Sequence, residues 1–503
     1  MSTNPEPIEQ PLPVPGLLAQ APAALALERK LLTLSQVPGI SAEALSHFGE
    51  MLKQLDAWTL FRLNPIAVAN MHGFDLKVLL DLLLHSSRIG LFDLNWTVVC
   101  PGCGSLEYTW PSINALKVGT VHCATCFMDV QFSLDEQVEV SFSLNPGICD
   151  LSAWVNPYAN FENYYRHYFS ASFQRAPEML SFVQALFRGY YVVDQDERAN
   201  LTLVAEADSL YRVINLQSHS QFWLRTSSLN TGPPILIETD LGDRGFSEVE
   251  REVPAGPLTL RIHNCSRQKR TLTLWKADFE GLHRILAAHP SRRTPFLTAK
   301  MLLNCQTFRE IHRIDRLDPD LSLSIASQTL LFSDLKGSTE IYELTGDYAA
   351  YSLVQRHFDL LTASVRRHSG SVVKTIGDAV MASFSTPVDG LLAAIDMHQQ
   401  IRELNRVSGR PDVELGLKIG LHTGPVLAVN ANERLDFFGQ TVNLAARVQG
   451  LAEAKEIWLT ESVYQAGCAE ILATAGLLCQ QQTAFLKGIS SATSVWRCSQ
   501  ASH

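Results

Sequence analysis

The sequence contains no long hydrophobic run. Its most apolar stretch, LKVLLDLLLHSS, is interrupted by Asp81 and is far shorter than the roughly 20 apolar residues that span a bilayer. The first residues, MSTNPEPIEQPLPVPG, are rich in proline and lack a basic start followed by an apolar core, so they do not resemble a signal peptide. We therefore predict a cytoplasmic protein that is not inserted in a membrane.

Positive charge is also scarce. The chain has 41 Lys and Arg against 51 Asp and Glu, a formal charge of -10, whereas a protein that binds nucleic acid usually carries a basic surface. Nucleic acid is therefore an unexpected partner. The hydrophobic fraction of 46% is ordinary for a folded protein, and 503 residues are too many for one hydrophobic core.

Four of the ten cysteines form two CxxC pairs. Cys100 and Cys103 are separated from Cys123 and Cys126 by nineteen residues, and glycines accompany the first pair. Each pair can place two thiolates on one metal through a tight turn, and four thiolates give a closed tetrahedral zinc site with no open position for substrate. The sequence therefore predicts one structural Zn²⁺ in a zinc-ribbon segment, with the other cysteines as small buried or incidental residues.

The spacing of apolar residues predicts a multidomain α+β protein. Helical spacing dominates to about residue 95, EQVEVSFSL alternates as a half-buried strand does, and short strands divided by turn residues fill about 201–276. These strands suggest a small β-sandwich-like domain. The predicted divisions are a disordered tail (1–24), helices with the zinc ribbon (25–150), a β-rich regulatory domain (151–290), a linker helix and connector (295–327) and a C-terminal domain (328–498).

The segment FLTAKMLLNCQTFREIHRI predicts the linker helix. Leu297, Met301, Asn304, Phe308 and Ile311 are spaced four, three, four, three, which is the seam of a short coiled coil with one polar position. Two interpretations fit so few heptads: parallel pairing with a second chain, or a helix packed on its own domain.

Two carboxylates stand at strand ends in the last third of the chain. In LLFSDLKGST an apolar strand runs into Asp334, and the GST that follows can open a helix whose free backbone N–H groups face a polyphosphate. In VVKTIGDAVMASF two strands meet at a hairpin turn that presents Asp378. Each aspartate alone is ordinary for such a position, but two on neighbouring strands could bind a pair of divalent ions.

A polar pair follows on a predicted helix that begins near Val442. Asn443 and Arg447 lie four residues apart, so they share one face of the helix. Facing solvent they would be ordinary surface residues. Facing a cleft they could hold a sugar and a phosphate.

Together these segments resemble the catalytic domain of the class III nucleotidyl cyclases. The order FSDLKGST, KTIGDAVMASF, GLHTGPV and DFFGQTVNLAAR is that of the family, and the resemblance covers nearly all of 328–498. It implies a ferredoxin-like α/β fold and a homodimer of two copies paired head to tail, with the active sites between them. The stretch between Gly424 and Asp436 is shorter than in animal-type enzymes, which implies a smaller dimerisation arm.

By this resemblance, Asp334 and Asp378 are the two metal-binding aspartates. They would hold two Mg²⁺ or Mn²⁺ ions per active site, with the help of the Leu335 carbonyl. The substrate phosphates would be cradled by the backbone amides of Gly337, Ser338 and Thr339.

The same resemblance assigns Lys374 and Asp436 to the purine. A lysine can donate to adenine N1 and a carboxylate can accept from the adenine amino group; guanine reverses this pattern, and guanylyl cyclases generally carry Glu and Cys there. The pair therefore favours ATP. Asn443 falls on the residue that orients the ribose, and Arg447 on the one that stabilises charge at the α-phosphate. Lys487 resembles a late phosphate-binding lysine, with a plain surface lysine as its alternative.

The N-terminal part is similar to the region that precedes some bacterial cyclases, where a WxxxCPxCG…HCxxC segment and an FLTAKxLLxxQTFR helix recur. The expected function is thus a regulated adenylate cyclase that converts ATP to 3′,5′-cyclic AMP and pyrophosphate. The alternatives are a guanylate cyclase, a degenerate domain that serves as a nucleotide sensor or dimerisation module, and a nucleic-acid-binding module with the cyclase as effector. Degenerate copies usually lose a metal aspartate or the Asn/Arg pair, and here all six positions are filled.

Overall fold

The computed structural model describes the ranges 16–110, 120–123, 125–126, 129–131, 134–229, 234–290, 292–312, 323–337, 343–344, 346–408, 414–431, 434–489 and 492–500. Ser338, Thr339, the start of the predicted tail and 313–322 of the predicted connector lie outside these residues. Within the described ranges, no helix has the length and apolar character needed to cross a membrane.

Helices α1 to α5 form the N-terminal layer, and most of them begin at a side chain that caps the first turn. Oxygens of Ser41, Asp56, Asn64 and Asp75 accept hydrogen bonds from backbone N–H groups that the helix itself leaves free. The leucine-rich faces of these helices then pack into one buried core. The helices are α1 (Ala23–Leu34), α2 (Ala42–Gln54), α3 (Ala57–Phe61), α4 (Pro65–His72) and α5 (Leu76–Arg88).

The cysteine-bearing segment is built on a small antiparallel sheet in the order β2-β1-β5, with the hairpin β3–β4 beside it. Strand β5 differs from the half-buried strand that its alternation predicts, because nearly all of its side chains are buried. Helices α3 and α9 both contact this strand. The strands are β1 (Phe92–Val99), β2 (Leu106–Trp110), β3 (Thr120–His122), β4 (Asp129–Gln131) and β5 (Val138–Leu144).

The β-rich middle is a sheet folded over on itself, in the order β12-β11-β13-β10-β9-β14-β7, with β8 paired to β13. Strand β13 joins the two halves: it pairs with β10 as far as Ala255 and with β8 from Gly256 onward. Gly256 has a φ of 124°, which favours glycine, at this change of partner. The strands are β7 (Phe187–Val193), β8 (Arg198–Ala205), β9 (Leu210–Asn215), β10 (Ser220–Leu229), β11 (Ile235–Gly242), β12 (Gly245–Phe246), β13 (Glu250–Asn264) and β14 (Arg270–Lys276).

Helix α6 packs with both this sheet and the cysteine-bearing segment, and helices α7 and α8 contact each other. Aromatic residues of α6 pack against β7 and β14, as the contacts of Phe161 with Phe187 and Trp275 show. The elements are α6 (Phe161–Tyr168), α7 (Pro177–Leu186), α8 (Phe279–Ala288) and the short pair β6 (Phe173–Gln174) and β15 (Arg292–Arg293).

The predicted coiled-coil helix is instead two short helices buried inside the chain. Helix α9 covers Ala299–Leu303 and α10 covers Gln306–Ile311, with a break at Asn304. Leu297, Asn304 and Phe308 are almost completely buried against the same chain. The interpretation of these residues as a seam that pairs with a second chain is therefore wrong, because their side chains are already covered.

The C-terminal part is a mixed α+β domain on a sheet in the order β17-β18-β16-β19-β21-β23-β22, with β20 paired to β19. Strands β19 and β21 are parallel, and the other pairs are antiparallel. Helices α11 and α12 cover one face, and α13, with the N-terminal layer, covers the other. The strands are β16 (Leu323–Lys336), β17 (Ser371–Ile376), β18 (Ala379–Phe384), β19 (Gly416–Ala431), β20 (Arg434–Phe438), β21 (Glu456–Thr460), β22 (Leu477–Ala484) and β23 (Thr493–Gln500); the helices are α11 (Asp347–Arg367), α12 (Pro387–Ser408), α13 (Gln440–Gln449), α14 (Glu461–Val463) and α15 (Ala469–Thr474).

Helix α13 lies directly on the backbone of β19. A Cβ added to Gly420 would clash with the backbone of Gln449, at the end of α13. The helix that carries Asn443 and Arg447 is therefore fixed to the central strand by a close contact that only glycine allows.

Candidate active site

Asp334 lies within β16 and forms an ion pair. The strand continues to Lys336, and its register places Asp334 opposite Lys418 of β19. Lys418 Nζ is 2.6 Å from Asp334 Oδ2. Leu335 follows with its side chain buried, and Gly337 leaves the strand with a φ of 74°. A divalent ion at Asp334 would take the place of the Lys418 ammonium.

Asp378 lies in the turn between β17 and β18, after Gly377, whose φ is 63°. Its Oδ2 atom is buried and accepts no hydrogen bond from the described residues. A buried carboxylate oxygen without a partner is unfavourable, and a bound cation removes that cost. This orphaned oxygen fits the predicted metal site.

A histidine that the sequence reasoning missed lies beneath both aspartates. His357 of α11 is fully buried. Burial lowers the pKa of His357 to about 4, while the Asp378 backbone and the carboxylates of Asp378 and Asp334 act in the opposite direction. The ring is therefore neutral near pH 7. Helical spacing could have found it, because it lies three residues after Val354 and four before Leu361 on the buried face.

Lys374 and Asp436, predicted to read the purine, lie in direct contact. Lys374 Nζ is 2.5 Å from Asp436 Oδ2, and the two side chains are 40% and 15% exposed. The contact forms because β17 and β20 approach each other across the sheet edge. The pair presents one cationic donor beside one anionic acceptor.

Arg309 of α10 supports this pair from behind. Its Nη1 atom donates to the Leu435 carbonyl at 2.9 Å, and its guanidinium lies 5.2 Å from the centre of the Phe437 ring. Burial lowers the pKa of Arg309 to about 10, and the charge of Asp436 opposes that shift. Helix α10 therefore contacts β20 on both sides of the predicted purine-binding aspartate.

Asn443 and Arg447 project from α13, where Asn443 is exposed and Arg447 half-buried. A Cβ added to Gly488 would lie 3.3 Å from both terminal nitrogens of Arg447, so the guanidinium rests against the turn that carries the exposed Lys487. The predicted phosphate residues are thus neighbours. In the described part of the chain, no hydrogen bond or ion pair joins Arg447 or Asn443 to either predicted metal aspartate.

The two CxxC pairs come together in one buried cluster. The four sulfur atoms all lie within 4.8 Å of one another, with Cys100 Sγ 3.4 Å from Cys126 Sγ and Cys103 Sγ 3.6 Å from Cys123 Sγ. Hydrogen bonds, that with Cys100 first, and burial raise the pKa of the Cys126 thiol. A soft divalent cation would reverse that shift by taking the thiolates as ligands, so the donor set fits zinc.

Two family models match different parts of this chain. A family of unknown function, DUF5939, matches residues 28–310, and the adenylate and guanylate cyclase catalytic domain matches residues 323–489. The chain belongs to the DUF5939 family and ends in a class III cyclase domain. The sheet that carries Asp334, Lys374, Asp378 and Asp436 is this cyclase domain.

Each of the curated relatives is similar to about a quarter to a third of this chain. An adenylate cyclase of Lachancea kluyveri is 31% identical over 163 residues, 29% of this chain and 9% of that protein. Guanylate cyclase 2G of Rattus norvegicus is 30% identical over 181 residues, 34% and 16% of the two chains. Adenylate cyclase 1 of Rhizobium meliloti is 30% identical over 137 residues, 24% and 20%. The chain thus spans at most a fifth of these relatives, which include both kinds of cyclase from fungi, animals and bacteria; the predicted bacterial type stays a prediction.

Solved cyclase structures are similar to about a third of this chain. The adenylyl cyclase CyaB from P. aeruginosa is 23% identical, covering 36% of this chain and 97% of that one, with a TM-score of 0.32. The guanylate cyclase domain of RhGC from Catenaria anguillulae, in complex with GTP, is 22% identical, covering 36% and 99%, with a TM-score of 0.31.

Proposed function

We propose that the protein is a cytoplasmic, homodimeric adenylate cyclase regulated by its N-terminal region, converting ATP to 3′,5′-cyclic AMP and pyrophosphate. One observation carries the choice of ATP: Lys374 Nζ lies 2.5 Å from Asp436 Oδ2. Adenine offers an acceptor at N1 beside a donor at its amino group, which a lysine and a carboxylate complement. Guanine offers the reverse order at the same edge and would leave both side chains mispaired.

The remaining residues account for binding and charge. Asn443 would orient the ribose, and Arg447 with Lys487 would compensate the charge that develops as the 3′-oxygen bonds to the α-phosphorus and pyrophosphate leaves. Asp334, Asp378 and the Leu335 carbonyl would hold two Mg²⁺ or Mn²⁺ ions. When bound, such ions act as Lewis acids on the 3′-hydroxyl and the triphosphate.

Lys418 forms an ion pair with Asp334, one of the two proposed metal-binding aspartates. Its Nζ atom lies 2.6 Å from Asp334 Oδ2, so the ammonium balances the charge of this carboxylate.

Exposed apolar side chains support a dimer. Ile376, Phe438 and Phe485 are 53%, 70% and 83% exposed, and each lies two residues from a predicted substrate or metal residue. Exposed apolar groups gathered around a site indicate an interaction surface. We propose that a second copy covers them and completes each site, with the metal aspartates of one subunit facing the purine, ribose and phosphate residues of the other.

The cysteine cluster would hold one structural Zn²⁺ in the regulatory region, as the four buried sulfurs within 4.8 Å suggest. The tie between that region and the cyclase domain would be α9 and α10. Asn304 Nδ2 and Gln328 Oε1 are 3.3 Å apart, and Gln328 Nε2 and Asn304 Oδ1 are 2.7 Å apart, so α9 is bonded to the first cyclase strand.

The direct test is product analysis. Purified protein is incubated with Mn²⁺ and either ATP or GTP, and the products are separated by chromatography. Cyclic AMP as the main product supports the proposal. No cyclic product from either nucleotide, in a confirmed dimer, would refute the proposed activity, and cyclic GMP as the main product would refute the argument from Lys374 and Asp436.

Complementation tests the shared site. Asp378→Ala and Arg447→Ala should each abolish activity alone. In an equimolar mixture, half of the dimers are mixed and each keeps one intact site, so about a quarter of wild-type activity should return. A mixture that stays inactive, although mixed dimers form, would contradict sites divided between subunits.

A further inference from the structure

A cavity of about 530 Å³ lies in the DUF5939 region, between the cysteine cluster, helices α6 to α8 and strands β9 and β14. Its volume is within the range of roughly 300–1,000 Å³ that small-molecule sites occupy. The walls are almost entirely apolar and rich in aromatic rings, including Phe161, Tyr164, Phe187, Trp275 and Phe279.

The two helices that cover the cavity are poorly packed. In α7 only Met179 is buried, and in α8 only Gly281. Leu180, which lines the cavity, is 50% exposed. Apolar side chains in a packed core are normally covered by other side chains, whereas here they face an open volume that a ligand could fill.

The cationic groups in the wall are already engaged. Arg175 donates to the Cys103 carbonyl and lies 4.9 Å from the ring centres of Tyr165 and Phe169. Arg212 Nη2 donates to the Thr125 carbonyl at 2.6 Å. Both arginines are therefore held beside the cysteine cluster by backbone carbonyls, and Arg175 by aromatic rings as well, rather than directed at an anionic ligand.

Two charged groups at the rim, Lys276 and Asp278, are engaged as well. Lys276 Nζ is 2.6 Å from Glu206 Oε2, and Asp278 Oδ1 accepts from Gly281 N at 2.8 Å as the cap of α8. In contrast, Trp275 Nε1 is buried and donates to no group of the described residues. A buried donor without a partner is costly, and a ligand acceptor would satisfy it.

We propose that this cavity binds an uncharged small molecule with an aromatic or aliphatic body and one hydrogen-bond acceptor that meets Trp275 Nε1. This inference goes beyond the proposed cyclase activity and does not depend on it. Its test measures binding alone, so failure of one proposal can be told from failure of the other.

The probe is Prodan, a neutral naphthalene ketone whose fluorescence shifts to the blue in apolar sites, titrated into the full-length protein. One molecule should bind per chain. Val183→Trp, which adds bulk to the α7 wall, should weaken binding roughly tenfold or more. The matched control is Val204→Trp, at a position on β8 that is 75% exposed and outside the cavity, and it should bind Prodan as the wild type does. Unchanged binding by Val183→Trp would overturn the proposal.

A second pair of measurements tests the ligand class. Trp275→Phe keeps an aromatic side chain but removes the indole N–H donor, and should weaken Prodan binding about three- to tenfold, as the loss of one hydrogen bond does; an unchanged affinity would refute the role of Nε1. Dodecanol should displace Prodan better than dodecanoate does. Stronger displacement by dodecanoate would show that the site selects an anion and would overturn the assignment to uncharged ligands.

Discussion

Exchanging the purine pair should reverse the choice of nucleotide. The double variant Lys374→Glu with Asp436→Cys replaces the donor by an acceptor and removes the anionic acceptor, so its edge would complement guanine. Asp436 is only 15% exposed and Lys374 is 40% exposed. We therefore assign most of the discrimination to Asp436, whose mispairing in a nearly buried site is the more costly.

Each mispaired buried group costs about 1–3 kcal/mol, and we take the lower end for the more exposed lysine. The wild type should then prefer ATP over GTP by roughly 2–4 kcal/mol, or about 30- to 1,000-fold in kcat/KM. The double variant should prefer GTP. Its kcat/KM for the two nucleotides would be measured with Mn²⁺ by chromatography of the cyclic products.

Two features make this measurement decisive. Asp436 also balances the buried Arg309, so the variant should unfold at a lower temperature, but a ratio of two kcat/KM values does not depend on the amount of folded enzyme. The matched control is Lys455→Glu with Glu414→Cys, which alters an exposed pair with a 2.7 Å separation. A variant that keeps the wild-type preference, or a control that loses it, would refute the reasoning.

The other predictions concern the metal, the linker and pH. Cys123→Ser should lower zinc from about one ion per chain towards zero, by elemental analysis, and lower the unfolding temperature; full zinc in this variant would contradict a four-cysteine site. Asn304→Ala removes both hydrogen bonds to Gln328, whose Nε2 atom keeps only its bond to the Phe384 carbonyl, and should cost about 1–3 kcal/mol in urea unfolding and change the cyclase rate. Destabilisation with an unchanged rate would mean that α9 only braces the fold. Burial lowers the pKa of four histidines to about 4 in the folded chain, whereas in the unfolded chain they protonate near pH 6.5. Between these pH values the unfolded state binds more protons than the folded state. The free energy of unfolding should therefore fall as the pH drops from 6.5 towards 4, by up to roughly 1.4 kcal/mol per pH unit for each histidine. Unfolding curves at pH 7.5, 6 and 5 measure this, and equal stability at all three would contradict it; the histidines are His167, His357, His398 and His422.

The site residues that could be predicted from the sequence are those that lie in short sequence motifs. Asp378 follows a glycine in a hairpin turn, and Lys374 and Asp436 lie in contact, while their role in reading the purine stays a prediction. Lys418 was missed because its contact with Asp334 depends on the register between two strands far apart in the chain. Local spacing contains no information on that register.

The other differences between the sequence-based predictions and the structure arise because elements distant in the chain bury the residues concerned. The spacing from Leu297 to Ile311 is the same whether the apolar side chains face a second chain or their own core, and the N-terminal layer that covers them comes from residues more than 200 positions earlier. Strand β5 alternates in sequence, yet α3 and α9 cover it. The division of the chain at the predicted boundaries stays a prediction.

The β17–β18 hairpin carries both Lys374 and Asp378, four residues apart on either side of the turn at Gly377. In the proposed dimer it therefore serves both active sites at once, which has a genetic consequence. A mutation that displaces the hairpin, such as Gly377→Val, would silence both sites of a mixed dimer, so a cell with equal amounts of normal and mutant chain would keep about a quarter of its activity. A change confined to Arg447 would leave about half, so the hairpin mutation would behave as a dominant-negative allele and the Arg447 mutation would not.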